Sequence, residues 1–397
     1  MSLFSFFTPK DKETVLILDI GSASVGGAFV RFPNNQCPHI LASIRHDMAT
    51  SEDLTFERFL SETSKTLQRV LTELHKANPV HPSKIFCVLA SPWHTSQTRL
   101  LSYTDTKDFT INEALVKTVI GKEIERFKKE VLESRRAVTQ EENDLIEVTH
   151  MTMRVNGYET PKPYGKIGHS IELSTFMSVG SKKGLARFAD DIARMFHRED
   201  VSFHTFLFTG FNAIRNSTNK QTFLFIDING EITDVAIVRD NFIAESASFP
   251  SGKNTILRAI ATSFSTSLDG AKSLLRSYND RKLHGDAMVQ FDRVIDEART
   301  AWVAELRRVI EIISPDFLLP DTAYVAAGSH VAPLVKIFLG HEDFSALTIT
   351  NKPLDVITLE PTMFKDHCVF DAGLRPDLFL LLDAIFIDQY IREKKHL

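Results

Sequence analysis

Two stretches of this chain share one design: VLILDIGSASVGGAFV, Val15 to Val30, and FLFIDINGEITDVAIV, Phe223 to Val238. Each runs from an apolar strand through Asp-Ile and a turn of small residues into a second apolar strand. A chain that repeats such a unit is constrained to fold as two related halves, with the turns of both hairpins available to grip one ligand. That pairing says more than either hairpin alone, because Asp and Gly are common in turns for steric reasons.

At 397 residues the chain exceeds one compact core, so two or more domains are expected. Its composition, 43% hydrophobic and 24% charged, is that of a globular protein, and a net charge of -5 leaves no electrostatic footprint for nucleic acid. Cys37, Cys87 and Cys368 have neither metal spacing nor an evident pairing, which reads as a reducing, cytoplasmic compartment. No apolar run reaches the roughly 18 residues of a membrane-spanning helix, and the N-terminus lacks a signal-peptide core.

Apolar residues at helical spacing predict a helix over Leu54 to His75, followed by a strand at Lys84 to Leu89. Ile111 to Arg135 reads as a long amphipathic helix. Strands at Asp144 to Val155 and Ser170 to Val179 enclose the Asn156-Gly157 turn and a Pro-Gly loop, so Cys87 to Val179 is expected to be a small α/β unit inserted into the first half. A helix over Lys183 to Phe196 and a strand over Ser202 to Thr209 precede the second hairpin. Gly252 to Ser314 reads as largely helical, and a strand at Thr322 to Ala326 leads into the turn Ala327-Gly328-Ser329.

In a phosphate-gripping hairpin, glycine lets the backbone approach oxygen atoms, hydroxyl residues add donors, and successive N–H groups form an anion nest. Asp19, Gly21, Ser22 and Ser24 fit the first grip; Asp227, Gly230, Thr233 and Asp234 fit the second. Carboxylates in such a grip hold a hydrated Mg2+ through its waters, which makes Asp19, Asp227 and Asp234 the metal candidates. Ser251 to Thr255, SGKNT, resembles the end of a P-loop but lacks its Ser or Thr after Lys and reads as a helix cap. His94, His169, His204 and His330 have no metal-ligand spacing.

With these residues in place, the chain resembles the actin-like ATPase superfamily, and within it the FtsA/PilM type. DIGSASVG at Asp19 is similar to the first phosphate motif, DINGEITD at Asp227 to the second, and AAGSHVAPLV at Ala326 to the adenosine motif. VNGYETPKPYGKIGHSIEL, Val155 to Leu173, looks like the close of the FtsA-type inserted domain. The resemblance implies an α/β, actin-like (ribonuclease H-like) duplicated fold. Subdomain IA would span 13-86 and 180-215, the inserted FtsA/PilM-type subdomain IC 87-179, IIA 216-252 and 321-397, and IIB 253-320, after an N-terminal arm at 1-12. It also implies ATP/ADP with Mg2+ as ligands, and Ala327, Gly328 and Ser329 at the adenosine.

The departures bear on function. Gly26 stands where the first motif commonly has Lys, Asn229 and Glu231 replace glycines of the second, and Lys272 and Leu275 occupy places where the family has a Glu and a Lys near the adenosine and ribose. ATP binding is therefore expected to be weak or absent, and the enzyme, if it is one, a slow ATPase at most. The resemblance implies a cytoplasmic scaffold on the inner face of a membrane, in type IV pilus assembly or cell division. Its partners would be copies of itself in a head-to-tail filament, and either the cytoplasmic tail of an inner-membrane pilus protein or the division-ring tubulin homologue. Two rivals stay open: a small-molecule kinase or hydrolytic ATPase of the same superfold, and a degenerate scaffold that binds only peptide.

Both ends carry expectations. MSLFSFFTPKDK places Phe4, Phe6 and Phe7 ahead of Lys10 and Lys12, a short arm suited to peripheral contact with a membrane. DLFLLLDAIFIDQYI, Asp377 to Ile391, is apolar on most faces and reads as an interior helix. FtsA typically ends instead in a basic amphipathic helix, so this ending resembles the PilM type or an FtsA relative without its membrane tail.

Overall fold

The computed structural model describes residues 14–34, 36–48, 55–78, 81–135, 141–314 and 318–395; the N-terminal arm lies outside them. In chain order the elements are β1 (Thr14–Ile20), β2 (Ser24–Arg31), β3 (His39–Asp47), α1 (Phe56–Ala77), β4 (Lys84–Leu89), β5 (His94–Thr110), α2 (Glu113–Arg135), β6 (Asn143–Val155), β7 (Tyr158–Glu159) and β8 (Ile167–Ser181). After them come α3 (Lys182–Phe196), β9 (Val201–Thr205), α4 (Phe206–Thr218), β10 (Phe223–Ile228), β11 (Thr233–Arg239), β12 (Phe242–Phe249), α5 (Lys253–Ser263), α6 (Leu268–Asn279) and α7 (Gly285–Ile313). The chain closes with β13 (Thr322–Ala327), α8 (Ala332–Gly340), β14 (Asp355–Thr358), β15 (Val369–Phe370) and α9 (Leu378–Lys395).

The duplication is explicit in the sheets. The first has the order β15-β3-β2-β1-β4-β9 and the second β12-β11-β10-β13-β14. In both, a three-strand antiparallel meander is extended by strands parallel to its first member. The third sheet, β5-β8-β6-β7, is the inserted unit, with α2 packed on it.

Both faces of the two main sheets are covered, and alternation along each first strand assigns its residues to one face or the other. Val15 and Ile17 belong to the core shared by the two sheets, whereas Leu16, Leu18 and Ile20 pack toward α1 and α3. In β10, Phe223 and Phe225 join the shared core while Leu224, Ile226 and Ile228 face the helices of the second half. By the same period, Asp19 and Asp227 fall on the shared inner side.

That inner layer holds α4 and α9, which pack on each other. Here two expectations need correction. The strand expected to run to Thr209 stops at Thr205, and Phe206 opens a helix. This helix is wedged between sheets and buries Phe206, Leu207, Thr209, Gly210 and Phe211 around most of its circumference, so it lacks the one-sided pattern that marks a helix. The segment 369-395 was expected with the second half. Instead β15 pairs with β3, and α9 lies against β1, β2 and α4. The inserted sheet begins at His94, while residue 87 lies within β4 of the first sheet.

Asp383, fully buried on α9, accepts a hydrogen bond from Thr209 Oγ1 of α4 at 2.8 Å. Cys37, Cys87 and Cys368 are all free thiols. Among the described residues, no helix is long and apolar enough to cross a membrane.

Candidate nucleotide cleft

The two duplicated hairpins end at one place. Between the halves lies a cleft of about 1050 Å³, lined by Ser24, Gly230, Ala327, Gly328 and Ser329, so three separate sequence motifs converge there. Asp19, Gly21, Ser22, Asp227, Thr233 and Asp234 are not among its lining residues.

The tips of the hairpins touch. The backbone N–H of Glu231 donates to Ser22 Oγ at 3.0 Å, and a Cβ built on Gly230 would stand 2.6 Å from Ala23 Cβ and 2.8 Å from Ala23 N. Gly252, the cap of α5, is as tight: a Cβ there would meet the carbonyl oxygens of Asn229 and Gly230 at 2.6 Å. Lys253 N and Asn254 N donate to those same carbonyls. The SGKNT stretch thus caps a helix against the second turn. Gly230→Ala should destabilise the protein by about 1–3 kcal/mol, the usual cost of forcing atoms into a packed contact, measured by chemical denaturation; an unchanged midpoint would show that the tips are not in contact.

The acidic candidates are each engaged by the protein itself. Asp19 Oδ2 accepts from Arg45 Nη2 at 2.6 Å. The same guanidinium reaches Asp377 Oδ2 through Nε at 2.5 Å and Ser24 Oγ through Nη1 at 3.0 Å. Asp377 in turn caps α9, accepting from the backbone N–H groups of Phe379 and Leu380 at 3.1 Å. Burial works against ionisation of Asp377, but Arg45 and these N–H groups outweigh it and hold its carboxyl below the usual range. Burial prevails at Asp19 and pushes its carboxyl up in spite of Arg45.

Gly26 explains how Arg45 gets there. The two residues are registered opposite each other on β2 and β3, and a Cβ at Gly26 would lie 2.6 Å from Arg45 Nη2. The missing lysine of the first motif and the arginine that crosses its position are one arrangement.

In the second hairpin, Asp227 and Asp234 are registered partners on β10 and β11. Asp227 Oδ2 accepts from Asn229 Nδ2 at 2.5 Å, and Asp234 Oδ1 accepts from Ser248 Oγ at 2.5 Å and Ser91 Oγ at 2.8 Å. Burial pushes Asp227 well up, reinforced by the neighbouring charges of Asp234 and Asp19. Burial also pushes Asp234 up to about 6, against the two serine hydrogen bonds. Asp227 Oδ1 and Asp234 Oδ2 are buried without a hydrogen-bond partner, which a protonated carboxyl tolerates better than a carboxylate. Thr233 points away from the cleft: its hydroxyl donates to the Ser251 carbonyl at 2.6 Å and accepts from Trp302 Nε1 at 3.2 Å. Glu231 is turned onto α5, bound by Asn254 Nδ2 and by both terminal nitrogens of Arg258.

A hydrated Mg2+ needs ionised carboxylates facing the ligand. Asp19 is spent on Arg45, and Asp227 and Asp234 sit beneath the hairpins at 0% and 2% exposure, so as arranged the three do not fit such an ion. Among the described residues, no group of three or more His, Cys, Asp or Glu is placed to hold a metal directly. The cleft wall is instead basic, with Arg45, Lys253, Lys272, Arg276 and Lys336 against Asp47, Glu360 and Asp377. Of these, Lys272, the Lys253 of SGKNT and Asp377 at the head of the last helix stand in stretches that the sequence marks out. Arg45 sits in no motif, and its role is visible only through the β2–β3 register and a partner at Asp377.

Sheet order, hairpin pairing and the cleft between halves together define the actin-like ATPase fold, and this chain has it. Among solved structures, a chain of the PilM–PilN type IV pilus biogenesis complex superposes with a TM-score of 0.60 at 16% identity, over 96% of this chain and 98% of that one. The ethanolamine utilization protein EutJ from Carboxydothermus hydrogenoformans follows with a TM-score of 0.45 at 10% identity, over 94% and 88% of the two chains. The activator of the 2-hydroxyisocaproyl-CoA dehydratase from Clostridium difficile, with bound ADPNP, gives 0.42 at 9% identity, over 96% and 97%. No family model and no curated protein sequence matches the chain.

Proposed function

We propose that this chain is an actin-like assembly scaffold of the PilM kind, working in the cytoplasm at the inner face of the membrane and clasping the cytoplasmic tail of an inner-membrane pilus protein. The observation that carries this reading is the extent of the likeness: it runs through both halves and the inserted sheet of a chain from a pilus biogenesis complex. The cleft is where ATP would sit, bound weakly and not turned over. Touching hairpin tips, the withdrawn hydroxyl of Thr233 and the engaged carboxylates support that part. They also count against the small-molecule kinase or hydrolase, which needs ionised groups facing its substrate.

The test is titration of the purified chain with a labelled synthetic peptide of that pilus protein's cytoplasmic tail, followed by anisotropy, alongside electron microscopy for filaments. Saturable one-to-one binding by a non-filamentous protein is the expected result. Filaments combined with no tail binding would overturn it in favour of a division-type polymer, and steady ATP hydrolysis would return the enzyme to consideration.

A further inference from the structure

We propose that the cleft takes a polyphosphate anion without any divalent metal, the positive charge being supplied by the chain's own Lys253, Lys272, Arg276 and Lys336. This rests on the reading that the cleft between the halves is the ligand site.

The starting point is where the charge already is. Arg45 occupies the space that Gly26 leaves open, bonds Asp19 and Asp377, and reaches Ser24 Oγ on the cleft wall. One guanidinium therefore stands where the first motif's lysine would project, and neutralises the acid that a metal ion would otherwise hold. Because Asp377 fixes its other edge, Arg45 is a positioned cation rather than a mobile one.

The second half brings cations to the opposite wall. Lys253 is the first residue of α5, directly after the Gly252 cap, and Lys272 projects from α6 to Asp47 at 3.2 Å. Among the described residues, no carboxylate lies within ion-pair distance of Lys253, Arg276 or Lys336. Of the three carboxylates on the wall, Asp377 belongs to Arg45, and Asp47 faces both Lys272 at 3.2 Å and the charge of Lys253, so that five cations on the wall stand against three carboxylates. The surplus is positive.

A free triphosphate carries about two more negative charges than its Mg2+ complex, and a cleft of fixed cations gains more from the more highly charged form. The acids that would receive the metal's waters are off the cleft surface. The chemical class is thus a metal-free triphosphate, whether that of a nucleotide or inorganic tripolyphosphate.

Calorimetric titration of the full chain with ATP and with inorganic tripolyphosphate, each in EDTA and in excess Mg2+, tests this. Binding in EDTA is expected for at least one of the two, at least as tight as with Mg2+, and the tighter anion names the source. Lys253→Ala and Lys272→Ala should each weaken it about tenfold with melting temperature and tail capture preserved, which avoids depending on a variant of Arg45 that fails to fold. A gain of about tenfold or more on adding Mg2+ would overturn metal independence while leaving the cleft as the ligand site. Silence with both anions under both conditions would sink the cleft reading as well, and full affinity in both lysine variants would overturn the assignment of the cations.

Discussion

Arg45→Ala is expected to destabilise the protein by about 3–5 kcal/mol, the range found when one partner of a buried ion pair is removed and the other is stranded. Here two carboxylates would be stranded, since Asp19 and Asp377 share the one guanidinium, with side chains only 4% and 16% exposed. The cost should reflect uncompensated charge more than lost packing. The combination of Arg45→Met with Asp19→Asn and Asp377→Asn should therefore recover most of the loss, because neutral groups of similar size remove the charges together. Arg45→Lys should recover only part of it, because a point charge on a flexible stem cannot serve Asp19, Asp377 and Ser24 at once. Guanidinium denaturation of the four proteins decides this. A triple variant no more stable than Arg45→Ala would mean that the arginine acts through packing.

Asp234→Asn should stabilise the protein at neutral pH, and by an amount that disappears in acid. Burial raises this carboxyl from 3.8 to about 6, so between those values the folded state holds a proton that the unfolded chain has released. Stability is therefore highest at low pH as far as this group is concerned, and falls as pH rises through about 6. The integrated penalty is about 3 kcal/mol at most, at 1.36 kcal/mol per unit. Asparagine can still accept from Ser91 and Ser248 through its oxygen and carries no charge to desolvate. Urea denaturation of both proteins at pH 4 and pH 8 is the measurement: a gain of about 1–3 kcal/mol at pH 8 and near equality at pH 4 are expected. Equal stability at both values would mean that Asp234 ionises without cost where it lies. Asp227, registered beside it, keeps part of the slope in the variant.

What the sequence disclosed and what it concealed divide along the range of the interactions. The paired hairpins, the inserted strands around Asn156-Gly157 and the cap at Gly252 follow from local pattern, and the structure forms all of them. The helix α4 is concealed in the sequence because its opening residues Phe206, Leu207 and Phe208 are apolar in succession and show no helical period, as suits an element between two sheets. In the cleft, Ser24, Gly230 and the Ala327 to Ser329 turn do come together, which motif spacing alone could indicate. The engagement of Asp19 by Arg45 could not be read, because it depends on strand register and on an N-cap residue at the far end of the chain. Thr233 was misplaced for a related reason: a hydroxyl in a turn is eligible for phosphate, but nothing local reveals that Trp302 and Ser251 have already claimed it.

The return of α9 and β15 to the first sheet has a consequence for how the molecule can be divided. The first half is not a segment of the chain: in the core shared by the two sheets, its Val15 and Ile17 lie in one cluster with Leu380, Leu382 and Ile387 of α9. No single cut yields two pieces that each close a core. The strands of the second half, β10 to β14, come in the chain before β15 and α9, so synthesis delivers them before the first half acquires its last layer.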